Sequence, residues 1–181
     1  EGNIAASHPS RTELASRLAE AIDDVQAAGN RLEENSEHEL RARLLAGRLL
    51  IRSLKTGAAS ELLHGTRDSV KGKGRPTRLA LAMAEGELAL DSGAYAEADG
   101  HLRRAVGLAR GDALAHDHYQ ATMSVAAATQ LQGQAAGAVS WLRLARATAL
   151  RCSDGPRLAD TCFSLGNILL ALDEVGDAFQ S

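Results

Sequence analysis

Aromatic side chains are scarce in this chain: one Trp, two Tyr and two Phe, 3% of its 181 residues. The hydrophobic share of 45% is therefore carried mainly by Ala and Leu, both strong helix formers. Only three prolines are present, and β-branched residues are few, so a sheet is not expected. Two cysteines, Cys152 and Cys162, are too few for a disulfide framework and have no second pair at zinc-ligand spacing. They are expected to be small, reduced core residues. Charge of one sign is lacking as well. The formal net charge is −3, and the basic residues are scattered rather than set on a stripe, so no nucleic-acid partner is expected. No apolar run approaches the roughly 20 residues that span a bilayer, and Glu1-Gly2-Asn3 is not a signal peptide. The expectation is a soluble, cytoplasmic chain without a membrane partner. Because it opens without Met and stops at Phe179-Gln180-Ser181 inside a helical pattern, it is expected to be a segment of a longer polypeptide.

What the chain does contain is a repeat. Gly93-Ala94-Tyr95-Ala96-Glu97-Ala98 is matched 40 positions later by Gly133-Gln134-Ala135-Ala136-Gly137-Ala138, and 40 later again by Asp173-Glu174-Val175-Gly176-Asp177-Ala178. Leu102 keeps register with Leu142, Ala105 with Ala145, and Gly86 with Ala126 and Gly166. Small residues recur where paired helices approach closely, and large apolar ones recur where a groove must be filled. A fixed period of this length is the signature of stacked supersecondary units.

These residues resemble the tetratricopeptide family, in which a small residue sits midway along the first helix and a Gly-x-Tyr-x-x-Ala turn opens the second. Gly86, Gly93, Tyr95, Ala98, Leu102 and Ala105 occupy those places in the repeat from about Leu79. Ala126, Gly133, Ala138, Leu142 and Ala145 occupy them in the next, with Ala135 in the Tyr place. In the last, Leu165-Gly166 and Ala178 fit, while Asp173 replaces the turn glycine. The family's closing Pro is missing and the period exceeds the usual 34. The resemblance implies an all-α, right-handed solenoid of antiparallel helix hairpins. Residues 1–181 are read as one such domain, with N-terminal helices and a degenerate repeat over 10–75, and three clearer repeats, the last incomplete, over 76–181. In the degenerate repeat, Gly57-Ala58-Ala59-Ser60-Glu61-Leu62 stands where the turn belongs.

The first helix opens on a capping box, Ser10 with Glu13, and its apolar positions Leu14, Leu18, Ile22 and Val25 carry it to about Glu33. Later helices are predicted at Glu37–Lys55, Ala58–Val70, Thr77–Asp91, Tyr95–Ala109, Asp112–Leu131, Ala135–Arg151 and Arg157–Leu172. Lys71-Gly72-Lys73-Gly74-Arg75-Pro76 breaks the pattern and is predicted to be an exposed, flexible basic loop, with docking of an acidic partner as its functional alternative.

No residue constellation supports catalysis. A P-loop needs Gly-x-x-x-x-Gly-Lys before Ser or Thr and after a strand, and Gly72-Lys73 meets neither condition. His116, Asp117 and His118 point to different sides of a helix and lack a fourth ligand, so no metal site is assigned. No Ser stands in a nucleophile elbow and no Cys has a neighbouring His. No catalytic residue and no cofactor is expected.

The resemblance implies a protein or peptide partner held on the concave face by the first helix of each pair. On this chain those positions are Met83, Glu87, Leu90 and Asp91, then Gln120, Met123, Ala127 and Gln130, then Phe163, Asn167 and Leu170. Met83, Met123 and Phe163 would supply apolar anchors or else pack between helices, and Glu87 and Asp91 would favour a partner with some basic residues. The family's Lys/Asn clamp for C-terminal carboxylates is not reproduced, since only Asn167 agrees. The expected function is a non-catalytic interaction scaffold or regulatory module, a segment of a larger bacterial protein. The alternative is an effector-sensing segment of a signalling enzyme or transcription regulator. The oligomeric state is not legible.

Overall fold

Four helix ends close in one way, and this closure sets the path of the chain. At Leu54 (φ 61°), Gly93 (φ 75°), Gly133 (φ 77°) and Ser153 (φ 52°) the backbone enters the left-handed region. In each case that residue's N–H donates three residues back, and the next N–H donates five back, as in Lys55 to the Leu50 carbonyl and Ala94 to that of Ala89. This is the Schellman arrangement, which satisfies the last carbonyls of a helix and turns the chain sharply. Gly93 and Gly133 adopt it freely. Leu54 and Ser153 do so against the Cβ clash that disfavours this region.

The computed structural model describes residues 11–111 and 114–180, with side chains over 12–111 and 114–172. Among these residues the chain forms eight helices and no strand: α1 (Arg11–Gly29), α2 (Glu37–Arg52), α3 (Thr56–Arg67), α4 (Arg75–Asp91), α5 (Tyr95–Leu108), α6 (Ala115–Leu131), α7 (Ala135–Arg151) and α8 (Gly155–Gln180). Successive helices pack as neighbours, while α2 also touches α4, and α4 touches α6. Paired helices joined by three-residue turns must run antiparallel, so the first helices of successive pairs stack side by side.

Packing follows the repeat. Gly86 lies where a Cβ would meet Leu102 side-chain atoms at 2.5 and 2.6 Å, so only a hydrogen there lets α4 and α5 approach. Ala98, Leu102 and Ala105, then Ala138, Leu142 and Ala145, are all buried. One apolar cluster joins α4, α5 and α6, a second joins α1 to α4, and a third joins α6, α7 and α8. The core is thus a chain of clusters rather than one centre.

The α2–α3 hairpin repeats the same register at a spacing of 39: Gly47, Leu54, Ala59, Leu63 and Thr66 stand for Gly86, Gly93, Ala98, Leu102 and Ala105. A Cβ on Gly47 would meet Leu63 at 3.0 Å, and Ala59, Leu63 and Thr66 are buried. The turn expected at Gly57 therefore falls three residues earlier, at Leu54, and Gly57 lies inside α3. The sequence hid this turn because its left-handed residue is Leu.

Other expectations are corrected too. The turn expected at Asp173 is absent, and α8 continues through to Gln180. Asp173 offers no glycine for the left-handed position that Gly93 and Gly133 provide. α1 stops at Gly29 rather than near Glu33, and the predicted Ser10 cap and the start at Asp112 lie outside the described residues. Cys152 and Cys162 are exposed rather than in the core.

Candidate functional site

Glu37, at the start of α2, reaches across to the next pair. The Gly74 amide donates to its Oε1 at 2.6 Å, and the Thr77 hydroxyl donates to Oε2 at 3.2 Å. The bond from Gly74 leads in holding this carboxyl below its ordinary pKa, against a smaller opposing effect of desolvation. Lys73 donates to the Asn35 carbonyl at 2.8 Å, Arg75 donates to the Leu108 and Arg110 carbonyls at the end of α5, and Lys71 pairs with Asp68 at 2.8 Å. The segment read as a flexible basic loop is thus pinned at its far end, and two of its three cations are spent on backbone carbonyls.

With α2 and α4 so tied, α2, α4 and α6 present one surface. A recess of about 460 Å³ opens on it. It is lined by the apolar side chains Leu45, Leu79, Ala80 and Met83 and by the polar groups of His38, Arg41, Arg48 and Asp117. Leu45 is 45% exposed although apolar. Arg41 forms no ion pair or hydrogen bond through its side chain among the described residues.

Arg48 spans the three helices. Its Nε donates to Glu87 Oε2 at 2.9 Å and its Nη2 to Glu87 Oε1 at 2.7 Å, with a longer bond to Gln120 Oε1 at 3.4 Å. Burial works to lower the Arg48 pKa, but the Glu87 hydrogen bonds and the charges of Glu87 and Asp117 outweigh it and leave the guanidinium firmly protonated. A two-pronged pair of this kind fixes both side chains as well as neutralising them.

Of the residues predicted for the groove, Glu87 and Gln120 meet at Arg48, and Met83 contributes to the recess. Met83 is only 3% exposed and belongs to the cluster with Leu79, Ala121 and Val125, so it packs between helices more than it projects. Leu90 packs against the same cluster. Met123 is half-buried, with the Thr161 hydroxyl 3.9 Å from its sulfur. Asp91, Ala127, Gln130 and Asn167 are exposed. Phe163 and Leu170 are 72% and 63% exposed and lie outside the recess. The negative charge expected from Glu87 is cancelled by Arg48.

Sequence reasoning missed His38, Arg41, Leu45 and Arg48, because the degenerate repeat has its turn misplaced at Gly57 and no groove position is carried onto its first helix. The 39-residue register of Gly47 with Gly86 was the signal that would have placed them. His116 and His118 go to different neighbours, as their spacing predicted: the first to Arg157, the second to the Thr148 hydroxyl at 3.2 Å. Burial, aided by Arg151 and Arg110, holds His118 below its ordinary pKa.

No protein-family model matches this chain. No curated protein matches it either. Among solved structures it is similar to a Podosopora anserina protein described as a kinesin light chain with nearly identical tetratricopeptide-like repeats. The two share 21% identity and superpose with a TM-score of 0.65, over 96% of this chain and 92% of the other. The fold is that of a tetratricopeptide-like helical repeat solenoid. No described helix is long and apolar enough to cross a membrane.

Proposed function

We propose that the chain is a non-catalytic protein-interaction module, and that the recess on α2, α4 and α6 captures a peptide segment of its partner. The observation that carries this reading is the exposed Leu45 beside Leu79, Ala80 and Met83, in a recess that a few polar side chains also line. An apolar floor with a few oriented polar groups is how helical grooves hold an anchor side chain. Because Glu87 is neutralised by Arg48 while Arg41 has no side-chain partner among the described residues, the preferred segment carries one large apolar anchor with an acidic group beside it. This revises the basic preference expected from the sequence. A small effector is the competing occupant, since about 460 Å³ lies within the usual range of small-molecule sites.

Selection of random peptides on the immobilised protein, followed by affinity measurement, tests the proposal. Leu45→Asp, an exposed-site change, is expected to weaken the selected peptides at least tenfold, with Arg41→Gln weakening those that carry the acidic group. Equal affinity for the parent protein and both variants would remove the groove from consideration. Failure to enrich any peptide would favour the effector reading.

A further inference from the structure

The α helix advances about 100° per residue, so the face of α4 opposite Pro76, Leu79, Ala80 and Met83 carries Arg78, Leu81 and Glu85. On that opposite face lies a second recess, of about 540 Å³. It is lined by Arg67 of α3, Lys71 and Gly72 of the following loop, Arg78 and Glu85 of α4, and Arg104 of α5, with Glu97 and His101 of α5 completing the wall.

Its charges divide into two groups. Those around the buried Glu85 pair with one another: Glu85, 7% exposed, accepts from Arg67 Nε at 2.7 Å and lies 3.0 Å from His101 Nδ1, whose other nitrogen stands 3.6 Å from the exposed Glu97. The others do not. The guanidinium groups of Arg78 and Arg104 form no ion pair or hydrogen bond among the described residues. Among the described residues Lys71 pairs only with Asp68, and with side chains 77% and 87% exposed this pair exchanges readily with solvent and competing ions. The neighbouring cations Lys73 and Arg75, by contrast, are occupied by carbonyls. Three cations from three separate segments thus border one cavity, and among the described residues no carboxylate pairs with Arg78 or Arg104.

We infer that this recess binds a phosphate monoester, its dianion gripped between Arg78 and Arg104 with Lys71 on the third side. Two guanidinium forks and an ammonium, carried by three different segments around one recess, suit a tetrahedral group with three free oxygens and a double charge. A planar carboxylate has one charge and two oxygens, which a single fork already occupies. The Glu85 carboxylate, engaged by Arg67 and His101, repels the anion toward Arg78 and Arg104, and the cavity is large enough to take part of the group that carries the phosphate. The inference is independent of the groove on α2, α4 and α6, because it draws on the other face of α4.

The test is titration of the full chain with inorganic phosphate at constant ionic strength, followed by the side-chain Nε–H signals of arginine and the Gly72 amide in nuclear magnetic resonance spectra. Saturable shifts of Arg78, Arg104 and Gly72 are expected with phosphate and not with acetate or chloride. Arg78→Gln combined with Arg104→Gln should abolish saturation while leaving the helical circular-dichroism signal unchanged, and Arg52→Gln should have no effect. Linear shifts equal to those with chloride, or saturation that survives the double change, would overturn the inference. Competition with a phosphoserine peptide and with adenosine monophosphate then distinguishes the carriers: one of them is expected to bind at least tenfold more tightly than inorganic phosphate. If neither does, the recess is a bare anion site and the ester assignment fails.

Discussion

Gly86 and Gly166 hold the same register in the repeat and lie in opposite surroundings. A Cβ on Gly86 would strike Leu102 at 2.5 Å, and Leu102 is fully buried. At Gly166 no atom of the described residues, apart from its chain neighbours and the backbone of its own helix, lies within 4 Å of the position a Cβ would take. Alanine favours a helix interior over glycine by about 1 kcal/mol, while overpacking a tight contact costs about 1–3 kcal/mol. Gly86→Ala is therefore expected to destabilise the protein, because the clash exceeds the propensity gain, and Gly166→Ala to stabilise it by up to about 1 kcal/mol. Denaturant midpoints of the two variants check this; shifts of the same sign would show that the α4–α5 contact is looser than the geometry requires.

At the scale of the element, the start of α4 depends on a residue of α2. The position before α4 is Gly74, which has no side chain to cap the helix, and Glu37 supplies the acceptor instead, taking bonds from Gly74 and Thr77. An anion at a helix N-terminus is favoured by the unpaired amides and by the helix dipole. Since the folded-state pKa of Glu37 is lowered from 4.5, its contribution is fully present above the unfolded-state value and is lost as pH falls through the folded one. Glu37→Gln should therefore lower stability at pH 7, and the gap between variant and parent should shrink on acidification below about pH 4. Urea unfolding at several pH values measures the gap; a difference that stays constant with pH would mean that the charge is not what caps α4.

For the whole molecule, stability is distributed along the stack rather than held at one centre. α4 packs against α2, α3, α5 and α6 and buries Leu79, Leu81 to Gly86 and Ala89. α1 packs on α2 and buries little beyond Ile22, and α8 packs on α7 with Thr161 and Ile168 as the buried side chains among its described residues. Opening free energies rise with buried apolar contact. Amide hydrogen exchange is therefore expected to be slowest in α4 and fastest in α1 and α8, with α5 and α6 between. Uniform protection across all the helices would point to a single cooperative core instead.

The pattern of Ala, Leu and Gly by itself determined that the chain is helical, that the turns at Gly93 and Gly133 stand 40 residues apart, and which small residues separate paired helices. These are local demands: helix propensity, a left-handed residue at Gly93 and Gly133, and a missing Cβ opposite Leu102 can each be met within one hairpin. The same locality explains the errors. A left-handed Leu54 carries no composition signal, so α2 and α3 were read as a degenerate repeat with its turn at Gly57, and the recess residues on α2 went unseen. Only the tertiary structure decided which charges meet, because Arg48 and Glu87 are brought together by the stacking of one pair on the next. The same stacking decided that Met83 is buried while Phe163, at the equivalent place on α8, is exposed: α6 covers the first, and no described helix covers the second. Burial and charge pairing depend on what lies across an interface, and that neighbour is supplied by the next turn of the solenoid rather than by adjacent residues.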